Sequence, residues 1–226
     1  MFWNTLLFVI FPYIALTLAV AVTAYRSWVQ PFTISSLSSQ LLERRKLYWG
    51  NIAFHYGIVI VLTGHLLAWW FPGSLRWWNG VPVRLYLLEV SGLALGLWAL
   101  AGLLILAWRR LSEPKVRAVT TPMDLLVLLL LLVSVVTGVL TAILYRFGSF
   151  WFTGVFAPYL WSVLTLRPQP QLLKDLPWVI QLHAFNFFLL LAFFPFSRLV
   201  HIITVPVGYL LRPWQIVIAM RGRTAP

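Results

Sequence analysis

The sequence predicts an all-α fold: a five-helix transmembrane bundle with its N-terminus outside and its C-terminus in the cytoplasm. Three observations predict it. Of the 226 residues, 61% are hydrophobic and only 10% charged, whereas a soluble domain is nearer half apolar and a quarter charged. Five apolar stretches reach the roughly 20 residues that a membrane helix needs. The basic residues fall unequally on the loops between those stretches, and that bias sets orientation.

The first stretch, residues 2–25, follows Met1 without a basic n-region and lacks a clear small-residue cleavage site before Arg26. It reads as a retained span rather than a signal peptide. A loop with Arg26, Pro31, Arg44, Arg45 and Lys46 leads to the second span, 47–71, which Pro72 and Gly73 close. The third span, 85–108, and the fourth, 123–145, are separated by Arg109, Arg110, Pro114, Lys115 and Arg117. Residues 150–164 are apolar but aromatic-rich, and Gly154 and Pro158 interrupt them. They are expected to form an interfacial segment, not a sixth span. The fifth span, 178–207, is long enough to tilt or to extend past the membrane. Together these elements make residues 1–226 a single integral membrane domain.

Eleven basic residues lie in the first loop, the third loop and the C-terminal tail, where Arg212, Arg221 and Arg223 sit. The opposite side has five: Arg76, Arg84, Arg146, Arg167 and Lys174. The positive-inside bias puts the larger group in the cytoplasm. Trp69, Trp70, Trp77, Trp78, Trp151 and Trp161 then gather towards the outer interface as an aromatic belt. The net charge of +12 is accounted for by these loops, and no nucleic acid is expected as a partner. Cysteine is absent, which removes disulfides, thiolate-bound clusters and the covalent attachment of c-type haem.

All four histidines fall in two spans, His55 and His65 in the second, His183 and His201 in the fifth. Ionisable residues inside a membrane are expensive and mark functional sites. A lone histidine in a span commonly bonds a neighbouring helix, but four confined to two helices and absent from every loop point elsewhere. The two spans run in opposite directions, so His55 pairs with His201 on the inner side and His65 with His183 on the outer. At ~1.5 Å per residue the spacings correspond to ~15 Å and ~27 Å, with a mean of ~21 Å. That suits two stacked sites whose ligand vectors tilt oppositely. Eighteen residues is five helical turns, so His183 and His201 are expected on one face, subject to a kink at Pro195. Neutral imidazole is a suitable axial ligand for iron, and a bis-histidine haem carries electrons because it has no open position. Zinc would need its ligands to converge at one depth. The expected cofactors are two haem b, held by His55, His201, His65 and His183.

Several strings resemble the gamma subunit of respiratory nitrate reductase, the cytochrome b membrane anchor, over nearly the whole chain. They are Ser38-Ser39-Gln40, Phe54-His55 with Gly64-His65, Arg109-Arg110-Leu111 and Val116-Arg117-Ala118. The most specific is the run Phe194-Pro195-Phe196-Ser197-Arg198-Leu199-Val200-His201, continuing to Val205-Pro206. Residues 72–84 and 147–177 depart from the family pattern. The resemblance implies the same histidine pairing, with membrane quinol oxidised near the outer haem. Electrons then pass inward to an iron–sulfur beta subunit and on to a molybdenum-containing alpha subunit that reduces nitrate. No catalytic residue for nitrate is expected in this chain. The resemblance also implies the cytoplasmic membrane of a bacterium or archaeon.

Around these ligands, Arg110 and Arg198 are candidates for the haem propionates, since guanidinium suits bidentate carboxylate recognition; anchoring at the interface is their other reading. Ser38 and Ser39 are candidate hydroxyl donors. Gly64 and Arg84 are candidates for the quinol site beside His65, with Tyr86 a rival for Arg84. Glu89, shortly inside the third span, is expected to pair with Arg84 or else to take a quinol proton. Two other functions are weighed: an anchor for another reductase, such as one acting on sulfur compounds, and a haem-free channel or transporter. A channel lines its path with polar groups, whereas spans three and four are nearly all Leu, Val, Ala and Gly.

Overall fold

The computed structural model describes residues 2–30 and 42–203. Five helices in it are long and apolar enough to cross a membrane: α1 (Phe2–Val29), α2 (Arg45–Trp70), α3 (Pro82–Ser112), α4 (Pro122–Leu144) and α5 (Trp178–Phe193). A chain in lipid must satisfy its backbone polar groups internally, and helices do so within one segment. The starts of α3 and α4 follow from proline near N1, where its missing N–H would be unpaired anyway. At α4 a capping box is added. Thr121 Oγ1 accepts from the Asp124 amide at 3.2 Å, and the Asp124 carboxylate accepts from the Thr121 amide at 3.0 Å. Pro114 ends α3 by holding Glu113 extended.

Backbone contacts order the helices as α1, α5, α4, α3, α2. The tightest pairing is α2 with α3, and glycine makes it possible. A β-carbon on Gly57 would stand 2.7 Å from the Leu95 carbonyl oxygen, and one on Gly102 would collide with the Phe54 amide nitrogen. Small residues are what let membrane helices approach this closely. Phe54, Ala99, Leu103, Val135 and Val139 form the core of this half. The other half packs Phe8 and Ala15 of α1 with Ala184, Phe188 and Ala192 of α5. The two histidine-bearing helices, α2 and α5, do not form a closely packed pair among the described residues.

One expectation about the spans needs correction. Helix α5 does not run to residue 207. It stops at Phe193, and 3-10 turns follow at Phe194–Phe196 and Arg198–Ile202, with Ser197 extended between them at φ −110°, ψ 175°. Pro195 cannot donate a helical hydrogen bond, and its carbonyl is taken by the Arg26 guanidinium. His201 therefore sits on a separate turn, and the shared-face argument for His183 and His201 fails. Residues from 204 onward lie outside the described residues. Residues 150–164 are not among the five candidate spans, as expected. This segment is helical, and in it Ala157, Tyr159 and Val163 are buried against α1 and α5. Tyr159 donates to the Phe8 carbonyl at 2.9 Å, so the segment packs against the bundle. Trp161, by contrast, stays half exposed, stacks near Trp69 and Trp70, and donates to the Trp69 carbonyl.

Candidate functional site

Each histidine in the bundle uses Nδ1 in the same way. His55 Nδ1 lies 3.0 Å from the Asn51 carbonyl, His65 Nδ1 2.8 Å from Val61, and His201 Nδ1 2.7 Å from Arg198. A carbonyl only accepts, so Nδ1 carries a proton in all three, and the tautomer this selects for the neutral ring keeps its lone pair on Nε2. His183 Nδ1 lies 2.9 Å from Thr137 Oγ1 on α4. That hydroxyl donates to the Val133 carbonyl at 2.6 Å, which leaves its oxygen to accept from His183. In this tautomer each of the four imidazoles presents Nε2 as the ligand atom. A second-shell bond of this kind fixes the tautomer and raises ligand basicity.

Two of the rings also come together. The centres of His55 and His201 are 6.2 Å apart, with their planes inclined at 55°. Two metal–imidazole bonds of about 2 Å each place ring centres about 6 Å apart, so this separation fits one metal ion held between the rings. At the other end Phe152 stands edge-on to His65 at 5.2 Å. Among the described residues no group of three or more His, Cys, Asp or Glu side chains gathers as a metal site.

The seat of His183 is built by α4. A β-carbon on Gly138 would approach His183 Cε1 to 3.1 Å, so only glycine leaves the ring ordinary clearance. One turn further along α5, buried Asn186 donates to the Leu130 carbonyl at 2.8 Å and to Ser134 Oγ at 2.6 Å. These bonds fix the rotation of α5 against α4.

At the His55/His201 end, Arg110 and Arg198 converge on one carboxylate. Arg110 Nη1 lies 3.2 Å from Asp124 Oδ2, and Arg198 Nε lies 3.0 Å from Asp124 Oδ1. Beside them Arg109, buried, pairs with Glu43 at 2.7 Å and donates to the Glu43 backbone carbonyl. Partial burial pushes the Glu43 carboxyl up, but the Lys46 and Leu47 amides and the Arg109 guanidinium outweigh it and hold it below the ordinary range. Ser38 and Ser39 lie outside the described residues.

At the His65 end, Gly64 opens onto free space, with no atom within 4 Å of a β-carbon built there. Arg84 stacks its guanidinium over Trp77 at 4.6 Å and Trp78 at 5.4 Å and donates to the Trp77 carbonyl at 3.4 Å. Tyr86 is exposed and edge-on to Phe147. The Glu89–Arg84 pair does not form. Glu89 instead accepts from the Ser149 amide at 3.0 Å and the Ser149 hydroxyl at 2.6 Å, and Asn79 donates to that hydroxyl at 2.9 Å.

Sequence reasoning passed over Asp124, Thr137, Gly138 and Asn186. A signal existed for three of them. Thr137 and Asn186 are polar residues in apolar spans, and Asp124 stands three residues after Thr121 in capping-box spacing.

The nitrate reductase gamma subunit family model matches residues 4–220. The chain belongs to this family. It is 34% identical over 228 residues to the respiratory nitrate reductase 1 gamma chain of Escherichia coli strain K12, covering 96% of this chain and 97% of that one. It is 31% identical over 210 residues to the nitrate reductase gamma chain of Bacillus subtilis strain 168, covering 92% and 94%. A more distant relative is the Hdr-like menaquinol oxidoreductase cytochrome b-like subunit of Archaeoglobus profundus, 29% identical over 71% of this chain and 48% of that one. As a nitrate reductase gamma subunit family member with five apolar helices, the chain is a multi-pass protein of the inner membrane, related to subunits of an oxidoreductase complex.

Proposed function

We propose that the chain is the dihaem cytochrome b subunit of a membrane nitrate reductase, which oxidises quinol and delivers the electrons to cytoplasmic partner subunits. One observation carries this reading: the rings of His55 and His201 stand a metal's breadth apart, each with Nδ1 tied to a backbone carbonyl. Bound haem supplies one-electron transfer between the two ends of the bundle. The protein's part is to hold imidazoles in the right tautomer and to fix their spacing on helices that cannot slide. Residues 1–226 act as one domain.

The excess of basic residues on one side favours a cytoplasmic location for the His55/His201 end. An iron–sulfur beta subunit would dock there and pass electrons to a molybdenum-containing alpha subunit. Quinol would approach from lipid at the opposite end, beside His65. Gly64 leaves room for a ring, and Arg84 supplies a cation whose guanidinium must leave Trp77 to donate to a quinol oxygen. Arg110 and Arg198, which share the Asp124 carboxylate, are candidate donors to haem propionates. Ser38 and Ser39 are candidate donors at the same end. Oxidising quinol outside while electrons move inward releases protons outside and builds proton-motive force.

The test is haem content by acid-acetone extraction and pyridine-haemochrome quantification, followed by redox titration of histidine variants. Two extractable haems per chain are expected. His55→Ala and His201→Ala should each remove one haem, and His65→Ala and His183→Ala the other. No haem, or the same haem lost from the His55 and His65 variants, sinks the reading. The Archaeoglobus relative favours a second possibility, an anchor for a different terminal reductase. The subunits that copurify with the chain separate the two.

A further inference from the structure

Asp124 is the point where three otherwise separate elements meet. It lies in the first turn of α4. Its Oδ2 faces Arg110 from the end of α3, and its Oδ1 faces Arg198 on the 3-10 turn that carries His201. The carboxylate also accepts from the Thr121 amide, and its side chain is only 8% exposed. Arg198 in turn uses its backbone carbonyl to orient His201 through Nδ1 at 2.7 Å. No continuous helix connects that turn to α5. The chain is extended at Ser197, and the Ser197 hydroxyl caps the turn by accepting from the Leu199 amide at 3.1 Å. A salt bridge between Arg198 and Asp124 attaches this turn to α4. The other members of the group are Thr120, whose hydroxyl accepts from Arg110 at 3.2 Å, and Arg109, next in sequence.

We propose that Asp124 is a positioning residue of the His55/His201 site, anchoring the turn that presents His201 and setting the charge beside the group held there. The proposal rests on the haem reading above. It acts through Arg198 and Arg110, not by touching iron. With the carboxylate present, two guanidinium charges are half compensated within one salt-bridged cluster. Without it, both stand uncompensated near the site. Removing a negative charge and exposing two positive ones act in the same direction. Each disfavours the more positive, oxidised state of a nearby redox centre, so the reduction potential rises.

The experiment compares Asp124→Asn, Asp124→Glu and Thr121→Ala in the intact membrane complex by optical redox titration and haem quantification. Asp124→Asn should raise the potential of the haem that His201→Ala removes and leave the His65/His183 haem where it was. Asp124→Glu should restore most of the shift, because it returns the charge. Thr121→Ala removes the reciprocal half of the capping box without touching either arginine, and should leave both potentials unchanged. Selective loss of the His55/His201 haem in Asp124→Asn, with retention in Thr121→Ala, also supports the role. An unchanged potential in Asp124→Asn with both haems present overturns the proposal, as does an equal shift or equal loss of both haems. Absence of haem from the unmodified protein is a different result and refutes the parent reading instead.

Discussion

Thr137→Val removes the only side-chain acceptor that the described residues offer to His183 Nδ1 while preserving the shape of a buried β-branched side chain. Leaving a buried donor unpaired costs about 1–3 kcal/mol. At 1.4 kcal/mol per factor of ten, that corresponds to a weakening of about 5- to 150-fold in whatever His183 ligates. The Ser134 backbone is also within hydrogen-bonding reach of the His183 ring, and it takes up part of the loss. The expected effect is therefore near the low end, about tenfold, which matches the usual consequence of deleting an outer-shell partner of a metal ligand. Thr137→Ser keeps the oxygen and should behave as the unmodified protein. The assay is haem occupancy across a haem titration of the depleted protein, together with the low-spin electron paramagnetic resonance signal of each haem. Only the His65/His183 site should weaken, and its signal should move because the ring is freer to rotate. Equal weakening at both sites, or full occupancy with an unmoved signal, would refute the claim that Thr137 orients His183.

Arg84→Ala should slow quinol-driven turnover by about tenfold or more, since a hydrogen bond from a charged donor is worth roughly 1.5–3 kcal/mol; turnover driven by a dye that reduces the partner subunits directly should persist, and unchanged quinol activity would exclude Arg84. Gly102→Val drives a side chain into the Phe54 amide and the Gly50 carbonyl oxygen, backbone atoms that cannot yield. Thermal unfolding in detergent should show a loss at or above the usual 1–3 kcal/mol of overpacking, with the His55/His201 haem lost first, whereas Gly92→Ala, which meets nothing within 4 Å, should be silent. Because folding lowers the Glu43 pKa beneath its ordinary 4.5, the Glu43–Arg109 pair contributes fully above that value, and its contribution disappears as pH falls through the folded pKa. Acid unfolding curves should therefore flatten below pH 4.5 in Glu43→Gln, and a curve superimposable on that of the unmodified protein would show the pair to be irrelevant.

The membrane helices were legible because lipid favours apolar side chains throughout a span, and 125–133 is an unbroken run of Leu and Val. Helix starts were read late by a few residues, as at Pro82 and Pro122, because proline looks like a breaker in sequence but serves as a first-turn residue in the fold. The end of α5 was misread for a related reason. Hydropathy continues smoothly through Phe194 to Val207, yet hydropathy records affinity for lipid, not backbone hydrogen bonding, and Pro195 with extended Ser197 interrupts the latter. The histidines stand out in the sequence as a set of four titratable rings in two spans, and the structure brings His55 and His201 together. Their acceptors do not stand out. Asn51, Val61 and Arg198 act through backbone carbonyls that any residue provides, and Thr137 is brought to His183 only by the packing of α4 on α5.

The two histidine pairs are therefore held by different physics. At one end His55 is part of an unbroken helix, while His201 rides on a short turn fastened by ions: Asp124 with Arg198, and the Arg26 guanidinium on the Pro195 carbonyl. At the other end both His65 and His183 belong to continuous helices. There the partner contacts are a neutral hydroxyl, a glycine clearance and an amide clamp. Ionic attachments respond to charge placed near them, and a turn can adjust where a helix cannot. A docking subunit that brings its own charged surface to the His55/His201 end would act on the first pair and leave the second untouched. A ligand entering from lipid beside Gly64 would meet the second pair with its geometry already fixed. One bundle thus presents an ionically fastened histidine pair at the Asp124 end and a pair held by neutral contacts at the tryptophan-rich end.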